Sequence, residues 1–478
     1  MDANLPLNKL GIDLLDALEN ALTTNASSSY SVSHLTIALS GGLDSMVMLH
    51  LCSMLKKAKP QLFLNTIHAI HINHGISRYA NAWQQFCEHQ CNVRNIQFHC
   101  KSYHVKKRKQ ASLEADARNI RYQLISDYVN EQPTLASPDA TGEPFVLLAQ
   151  HQNDQAETFL LQLKRGAGVK GLSSMAARTQ AEGFVYLRPL LGFSQAQLQQ
   201  FARHADLEWI EDESNTDEQY DRNFLRHKVI PLLSARWPQI HATIARSAQH
   251  CADAQAVNNE YMQIIASKVL ANDLSAKLKP LSELSKPTQL SFLRFWLAMY
   301  LSEMPSQAQL SQVTRLIDNE QSETGYIKLQ SWFIEKFQEK LLISPVSKGE
   351  LSAIQLDTAK QVINELWRCE QLSEDKTVDT TLDKHVTVIQ APAQGLHVNY
   401  KLSNLRAKFS AKRPRKSLKV WFQEWGISPM LRAQCPIIMY ETEIVAVLLP
   451  TGEVKQALEA AFANCNFSRL ALIHTSPY

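Results

Sequence analysis

The stretch LTIALSGGLDSMVMLH, residues 35–50, sets two consecutive glycines between an apolar run and a second apolar run of helical spacing. Its first half reads as a buried strand and its second as a helix. Glycines at 41 and 42 let the chain reverse without Cβ clashes. A helix that begins near Leu43 then turns its free N–H groups and positive dipole end into the junction. Phosphate is the natural occupant of such a site, with Ser40 and Ser45 as extra hydroxyl donors. Asp44 would repel phosphate unless a divalent cation bridges the two, so the pattern implies Mg²⁺ at Asp44. No Gly-Lys-Ser/Thr follows, which excludes a Walker A loop.

A strand–turn–helix junction of this kind belongs to a parallel sheet, and the next segments fit one. Between 34 and 165, HLTIALS, LFLNTIHAIHI, RNIQFHC and PFVLLAQ read as strands. SMVMLHLCSMLKK, ANAWQQFCEHQC, EADARNIRYQLISDYVN and DQAETFLLQLK read as helices between or after them. The alternation predicts a Rossmann-like sheet covered on both faces. The polar segment 131–143 reads as a loop. At 478 residues the chain exceeds one core. We expect an α/β catalytic domain over 1–235, a mostly helical domain over 236–345 and a small α+β domain over 360–478, with a linker or hairpin region at 344–360. The acidic N-terminus lacks the basic and apolar regions of a signal peptide. Eight scattered cysteines are sparse for this length and suit a reducing cytoplasm. Net charge is only +3, but KSYHVKKRK (101–109) and KFSAKRPRKSLK (408–419) concentrate basic residues. Taken singly, each run reads as a solvated face.

A second constellation, AQHQNDQAETFLLQLK at 149–164, runs from a strand end into a helix. His151, Asp154 and Glu157 are spaced by three and share the helix's first turns. Alone, such acids only compensate the helix dipole. GAGVKG (166–171) matches G-x-G-x-x-G but follows a helix, so it fails as a dinucleotide fingerprint and reads as a flexible loop facing substrate.

Ser-Gly-Gly-Leu-Asp-Ser (40–45) resembles the PP-loop of N-type ATP pyrophosphatases. With HINH (71–74), EADARNIRY (114–122), HQNDQAET (151–158), KRGAG (164–168), RPLL (188–191) and EDESNTDEQYDRNFLRHKVIPLL (211–233) in this order, the chain resembles the bacterial tRNA(Ile)-lysidine synthase family. Two departures stand out. Asn153 replaces the first of two acids found in many members, and the family's Phe-Arg-x-Gly-Gly-Glu is missing from KLSNLRAKF. KSLKVWFQEWGISPMLRAQCPIIM (416–439) keeps the likeness there.

The resemblance implies replacement of the 2-oxo group of a wobble cytidine by the ε-amine of free L-lysine. ATP first adenylates that oxygen, so that AMP leaves. The tRNA would be the minor isoleucine tRNA with a CAU anticodon, whose reading changes from AUG to AUA. By this likeness Ser40, Gly41, Gly42, Leu43, Asp44 and Ser45 hold ATP, with His71 beside its nucleoside or the tRNA. Asp154 and Glu157 bind the lysine ammonium ahead of any role as base. Arg118 contacts phosphate or a carboxylate; an ion pair with Glu114 is its alternative. Arg222, Asn223 and Arg226 would face the anticodon loop, and Lys412, Arg413, Arg415 and Lys416 the acceptor stem. Beyond a homodimer, which stays open, no protein partner is implied.

Leu418, Trp421, Phe422 and Trp425 recur at i, i+3, i+4 and i+7, with Ser417 as N-cap and Gly426 as stop, and read as core. Cys87, Cys91 and Cys100 match no strong zinc spacing and read as small buried residues. Two rival functions remain at this level. A tRNA thiolase would need Cys-x-x-Cys pairs, which this sequence lacks; a non-catalytic RNA-binding protein would not need intact Asp44, Asp154 and Glu157.

Overall fold

The computed structural model describes residues 8–23, 32, 34–63, 67–75, 77–103, 110–131, 143–211, 217–301, 303–318, 325–346, 353–356, 360–364, 366–372, 386–458 and 467–474. The basic run 104–109, the loop 132–142, parts of 344–360 and the side chain of Glu114 lie outside them. Contacts divide the chain into two compact units, Met1–Asn258 and Asn259–Tyr478. The division into three domains given above stays our proposal.

In the first unit, helix α1 (Lys9–Thr23) precedes strand β1 (Leu35–Ala38), α2 (Leu43–Ala58), β2 (Ile67–Asn73), α3 (Ala80–Val93), β3 (Gln97–Ser102), α4 (Gln110–Asn130), β4 (Phe145–Leu147) and α5 (Gln152–Lys164). A single turn, α6 (Val169–Leu172), then leads to β5 (Arg178–Ala181), β6 (Phe184–Leu187) and α7 (Gln195–His204). The sheet order is β3-β2-β1-β4-β6-β5. Five strands are parallel, and β5 joins the edge antiparallel to β6. Because β1, β2 and β3 step one way and β4 returns to the other side of β1, the chain reverses direction at β1. The crevice beyond the C-terminal ends of β1 and β4 is where such sheets bind ligands.

Burial explains the apolar strand sequences. On one face, Leu14, Leu18, Met46, Val47, Cys87, Cys91, Leu198 and Phe201 pack from α1, α2, α3 and α7. On the other, Ile125, Tyr128 and Val129 of α4 meet Ile70, Val146, Phe184 and Tyr186. The four strands and four helices read from sequence are present. The β5–β6 hairpin was not anticipated. It turns at Glu182-Gly183, with Gly183 at φ +83°. The GAGVKG segment is not wholly loop, since its last residues enter α6.

The first unit continues through α8 (Asp221–Phe224), a π-helical turn (Leu225–Val229), α9 (Ile230–Arg236) and α10 (Ile240–Val269), which runs on into the second unit. Pro231 stands at the start of α9 and has no N–H to donate back to the preceding turn. A π-turn at that point accommodates the missing bond.

In the second unit, helices at 278–282, 286–297 and 307–318 pack through Phe292, Leu293, Trp296 and Val313 against an antiparallel meander of strands Gly325–Leu329, Trp332–Phe337 and Lys340–Pro345. Two larger antiparallel sheets and a two-stranded one, Arg406–Ala407 with Lys416–Ser417, follow. One of the larger two contains Glu443–Leu448 and the other Val386–Pro392, matching the EIVAVLL and KHVTVIQA runs. The helix Leu418–Glu424 buries Leu418, Trp421 and Phe422, with the Trp421 indole N–H donating to the Ala407 carbonyl at 2.9 Å. The aromatic stripe is therefore core, and Gly426 ends it at φ +69°. Ser417 takes the N-cap position, but its side chain makes no capping hydrogen bond, contrary to expectation. Among the described residues no helix is long and apolar enough to cross a membrane.

Three imidazoles lie across β1–β3. His68 meets His99 at 3.1 Å and the Tyr128 hydroxyl at 2.9 Å, and the His34 ring lies 4.7 Å from that of His68. Burial, then the charges of His34, His99 and Lys56, pushes His68 down to about 4. Burial also lowers His34, with help from His99, and lowers His99. The unfolded chain binds protons on these rings below about 6.5 while the folded protein resists them. Their contribution is thus complete above about 6.5 and is lost as the pH falls toward the lower folded values. We expect the urea midpoint to fall from pH 7 to pH 5, and to fall less in His68→Gln; equal slopes for the two proteins would refute this.

Candidate active site

The loop after β1 is built around one position that only glycine fits. Gly41 has φ +88°, and a Cβ there would stand 2.7 Å from Ile210 Cδ1 and 2.9 Å from Cys87 Sγ. Gly42, at φ −73°, is ordinary backbone, and a Cβ there would meet nothing closer than 3.6 Å. Only the first glycine is demanded by the fold; the second keeps the loop surface bare for a ligand's approach. Residues 207–211 brace the loop from behind, with Ile210 N–H donating to the Gly41 carbonyl at 2.9 Å.

Ser45 is buried beneath the loop. Its hydroxyl donates to the Gly42 carbonyl at 2.9 Å and accepts from Gly41 N–H at 3.1 Å, with Ser40 Oγ 3.1 Å away. Ser45 therefore shapes the loop rather than presenting a free donor, whereas Ser40 lies exposed at its rim. Leu43 begins α2 and packs on the core.

Asp44, in the first turn of α2, meets the residues after β4. His151 caps α5: its Nδ1 accepts from Asp154 N–H at 3.4 Å, and Asp154 Oδ2 accepts from His151 N–H at 3.0 Å. The opposite ring nitrogen, Nε2, stands 3.4 Å from Asp44 Oδ2 and 3.5 Å from Asp154 Oδ2. Burial opposes charge on His151, but the hydrogen bond to Asp44 and the fields of Asp154, Asp44 and Glu157 outweigh it and raise its pKa. The other Asp44 oxygen, Oδ1, is buried with no hydrogen-bond partner among the described residues. An orphaned carboxylate oxygen beside a phosphate-type loop is what an oxygen-ligated divalent cation would complete.

Glu157 is 1 % exposed. Its Oε2 accepts from Arg222 Nε at 2.6 Å, and its Oε1 from Arg226 Nε at 2.6 Å. Arg222 Nη2 also reaches Asp154 at 2.8 Å. Burial disfavours the Arg226 charge, yet Glu157 and Asp154 reverse that and raise its pKa. This corrects the expectation of an RNA-facing edge: both guanidiniums turn inward onto the acids. Asn223 donates to the Asp217 carbonyl at 2.9 Å and ties down its own loop. Asn153 Oδ1 accepts from Gln195 N–H at 3.1 Å at the start of α7. Beside Glu157 opens a cavity of about 200 Å³, lined in part by Asn153, Gln195, Arg226, Ser234 and His241. Ser234 Oγ and His241 Nε2 there have no hydrogen-bond partner among the described residues.

His71 is buried beside the loop, with Nδ1 donating to the Leu39 carbonyl at 2.9 Å. Burial lowers its pKa against the pull of that bond, and Arg121 adds to the lowering. A neutral ring bonded through Nδ1 keeps Nε2 as an acceptor. Arg118 does not join the acids. It stays exposed on α4, 5.1 Å over the Tyr122 ring and 3.2 Å from its hydroxyl. The arginine whose charge reaches His71 is Arg121, its neighbour one turn on. Arg121 shares the anion-binding expectation given to Arg118; sequence reasoning missed Ile210 and gave Arg188 no role beyond its place in RPLL. Arg188, buried at the end of β6, holds the Gln150 side chain and donates to the Ala176 carbonyl at 2.8 Å. In the second unit Arg413, Arg415 and Lys416 are not bare cations. Arg413 and Lys416 pair with Glu424, Arg415 pairs with Glu443, and Lys412 is exposed.

Comparison with known proteins accords with this geometry. A PP-loop domain family matches residues 15–233, a TilS substrate binding domain 277–342 and a TilS substrate C-terminal domain 396–460. The tRNA(Ile)-lysidine synthase of Haemophilus influenzae (strain Rd) is 35% identical over 439 residues, 91% of this chain and 97% of its own. That of Vibrio campbellii is 34% identical over 86% of this chain and 90% of its own. Among solved structures, the U34-tRNA thiolase NcsA of Methanococcus maripaludis overlays on 50% of this chain and 79% of its own with a TM-score of 0.40 at 15% identity, a likeness too distant to bear on function. The chain belongs to the tRNA(Ile)-lysidine synthase family and is an enzyme built on a PP-loop ATP pyrophosphatase domain.

Proposed function

We propose that this enzyme joins free L-lysine to C2 of the wobble cytidine in the CAU anticodon of the minor isoleucine tRNA, with ATP giving AMP and pyrophosphate. The observation that carries the reading is the meeting of the glycine loop, with its orphaned Asp44 oxygen, and the Asp154–Glu157 pair in one crevice.

The N–H groups of the first turn of α2, with the helix dipole, bind the β,γ-phosphates and hold pyrophosphate as it departs. Asp44 would hold Mg²⁺, which supplies charge compensation for the phosphates. His71, with its Nε2 acceptor, orients the nucleoside. The cytidine oxygen attacks the α-phosphorus, so the base carries AMP as its leaving group.

Free lysine arrives as an ammonium, with a pKa of about 10.4 in water. We place it in the cavity beside Glu157. Its cation competes with Arg222 and Arg226 for the two carboxylates. A guanidinium released in that exchange is then available to the substrate carboxylate or a tRNA phosphate. Asp154 and Glu157 thus bind and orient the amine. Lys412, Arg413, Arg415 and Lys416 contact tRNA phosphates, for which the anions must displace Glu424 and Glu443; exposed pairs of this kind are weak and screened by salt.

The decisive experiment is mass analysis of nucleosides from the CAU tRNA after incubation with protein, ATP and lysine: a lysine-bearing cytidine is expected, and its absence refutes the reading. Asp44→Ala is expected to cut tRNA-dependent pyrophosphate release roughly 100-fold or more; near-normal release would remove Asp44 from this role. Glu157→Gln is expected to raise the lysine KM about 10- to 100-fold with the ATP KM little changed. Gly41→Ala forces a side chain to φ +88° and should lower both stability, by about 1–3 kcal/mol, and ATP use. Gly42→Ala should affect ATP use alone, and equal melting losses for the two variants would contradict the loop geometry.

A further inference from the structure

Strand β2 ends at Asn73 and α3 begins at Ala80, at the same end of the sheet as the glycine loop. Between them lies a cavity of about 250 Å³, separate from the one beside Glu157 and lined by Asn73, Gly75, Ser77, Arg78, Asn81 and Ser102. Its lining supplies amides, hydroxyls, backbone and one guanidinium. Among the described residues no carboxylate lines it. It therefore suits a ligand that is neutral where it enters and anionic at its edge.

Hydrogen bonding fixes the wall. Asn73, 7 % exposed, accepts from Gly75 N–H at 3.0 Å and donates to Asn81 Oδ1 at 3.3 Å and Gln84 Oε1 at 3.1 Å. Asn81 is thus held through its oxygen, which leaves its NH₂ for a ligand. Ser77 Oγ accepts from Tyr79 N–H at 3.1 Å, and this turn sets Tyr79 on the surface, 40 % exposed. The Arg78 guanidinium lies 4.6 Å above the Tyr79 ring. An exposed aromatic face, a neighbouring amide and a guanidinium are the groups that recognise an unpaired nucleotide by stacking, by base-edge hydrogen bonds and at its phosphate.

We propose that this cavity, with the exposed Tyr79 ring next to its Arg78 wall as a stacking surface at the rim, is a second nucleobase subsite that takes an unpaired base of the RNA loop beside the nucleotide undergoing reaction. The inference rests on the function proposed above. His71 bonds the carbonyl of Leu39, next to the glycine loop, and Asn73 lies two residues further along β2, roughly 7 Å on. A nucleotide adjacent to the reacting one can span that step. Splaying the target base out of its stack frees its neighbour, and a pocket that captures the neighbour would hold the loop open.

The test uses the full chain with CAU tRNA transcripts. Tyr79→Ala should raise the tRNA KM roughly 10-fold and leave the ATP and lysine KM values unchanged, while Tyr79→Phe keeps wild-type values. Transcripts carrying 2-aminopurine at single anticodon-loop positions should show quenching by the wild-type protein at one position next to the wobble nucleotide, lost in Tyr79→Ala. An unchanged tRNA KM with unchanged quenching overturns the proposal. A raised ATP KM in its place assigns the cavity to the adenine of ATP and overturns it as well. Quenching that depends on Tyr79 without any lysine incorporation would keep the subsite and sink the proposed reaction; no RNA binding at all would sink both.

Discussion

Glu157 is buried, and burying a carboxylate is costly unless it is paired; Arg222 and Arg226 meet its two oxygens at 2.6 Å. Removing one guanidinium leaves the other against Glu157, while removing both would leave a buried charge uncompensated. That constraint joins the first turns of α5 to the bent helix that begins at Asp221. Through the His151 cap the same cluster reaches Asp44 on α2. Three acids, two guanidiniums and an imidazole thus connect the segments that follow β1, β4 and β6. The crevice at the sheet's reversal point is assembled by charge as much as by apolar packing.

The cluster also changes how substrate binding must work. Bare acids would attract any cation, but these are already matched, so an incoming amine exchanges with a guanidinium instead of filling a vacancy. Exchange favours a ligand that offers an ammonium to the acids and an anion to the displaced arginine. A free amino acid has both. The cavity beside Glu157, with its unpartnered Ser234 and His241 atoms, supplies polar groups for the rest of such a ligand.

Much of the fold was legible because the constraints behind it are local. Apolar runs such as LTIA, buried on both faces, mark parallel strands, and Gly-Gly after one of them marks a tight turn. The β5–β6 hairpin escaped notice because its edge strand, RTQA, is half-exposed and carries little pattern. Within the site, Ser40–Ser45, His71, Asp154 and Glu157 come to one end of the sheet as their positions in sequence suggest. Arg118 and the pair Arg222–Arg226 were assigned by residue type, and type does not reveal direction. An arginine on a polar helix looks the same whether it points to solvent, to a tyrosine ring or to a buried acid.

The sequence by itself determined the α/β order of elements, the phosphate-type loop and the acids at the head of α5, since each follows from residues within a few positions of one another. Only the tertiary structure decided that position 41 and not 42 excludes a side chain, because the clash would come from Ile210 and Cys87, far along the chain. It alone decided that Ser45 supports the loop from below, that Arg222 and Arg226 neutralise Asp154 and Glu157, and that one Asp44 oxygen is left without a partner. Those outcomes depend on which distant segments fold back over the sheet, and charge pairing acts through space without regard to position in the chain.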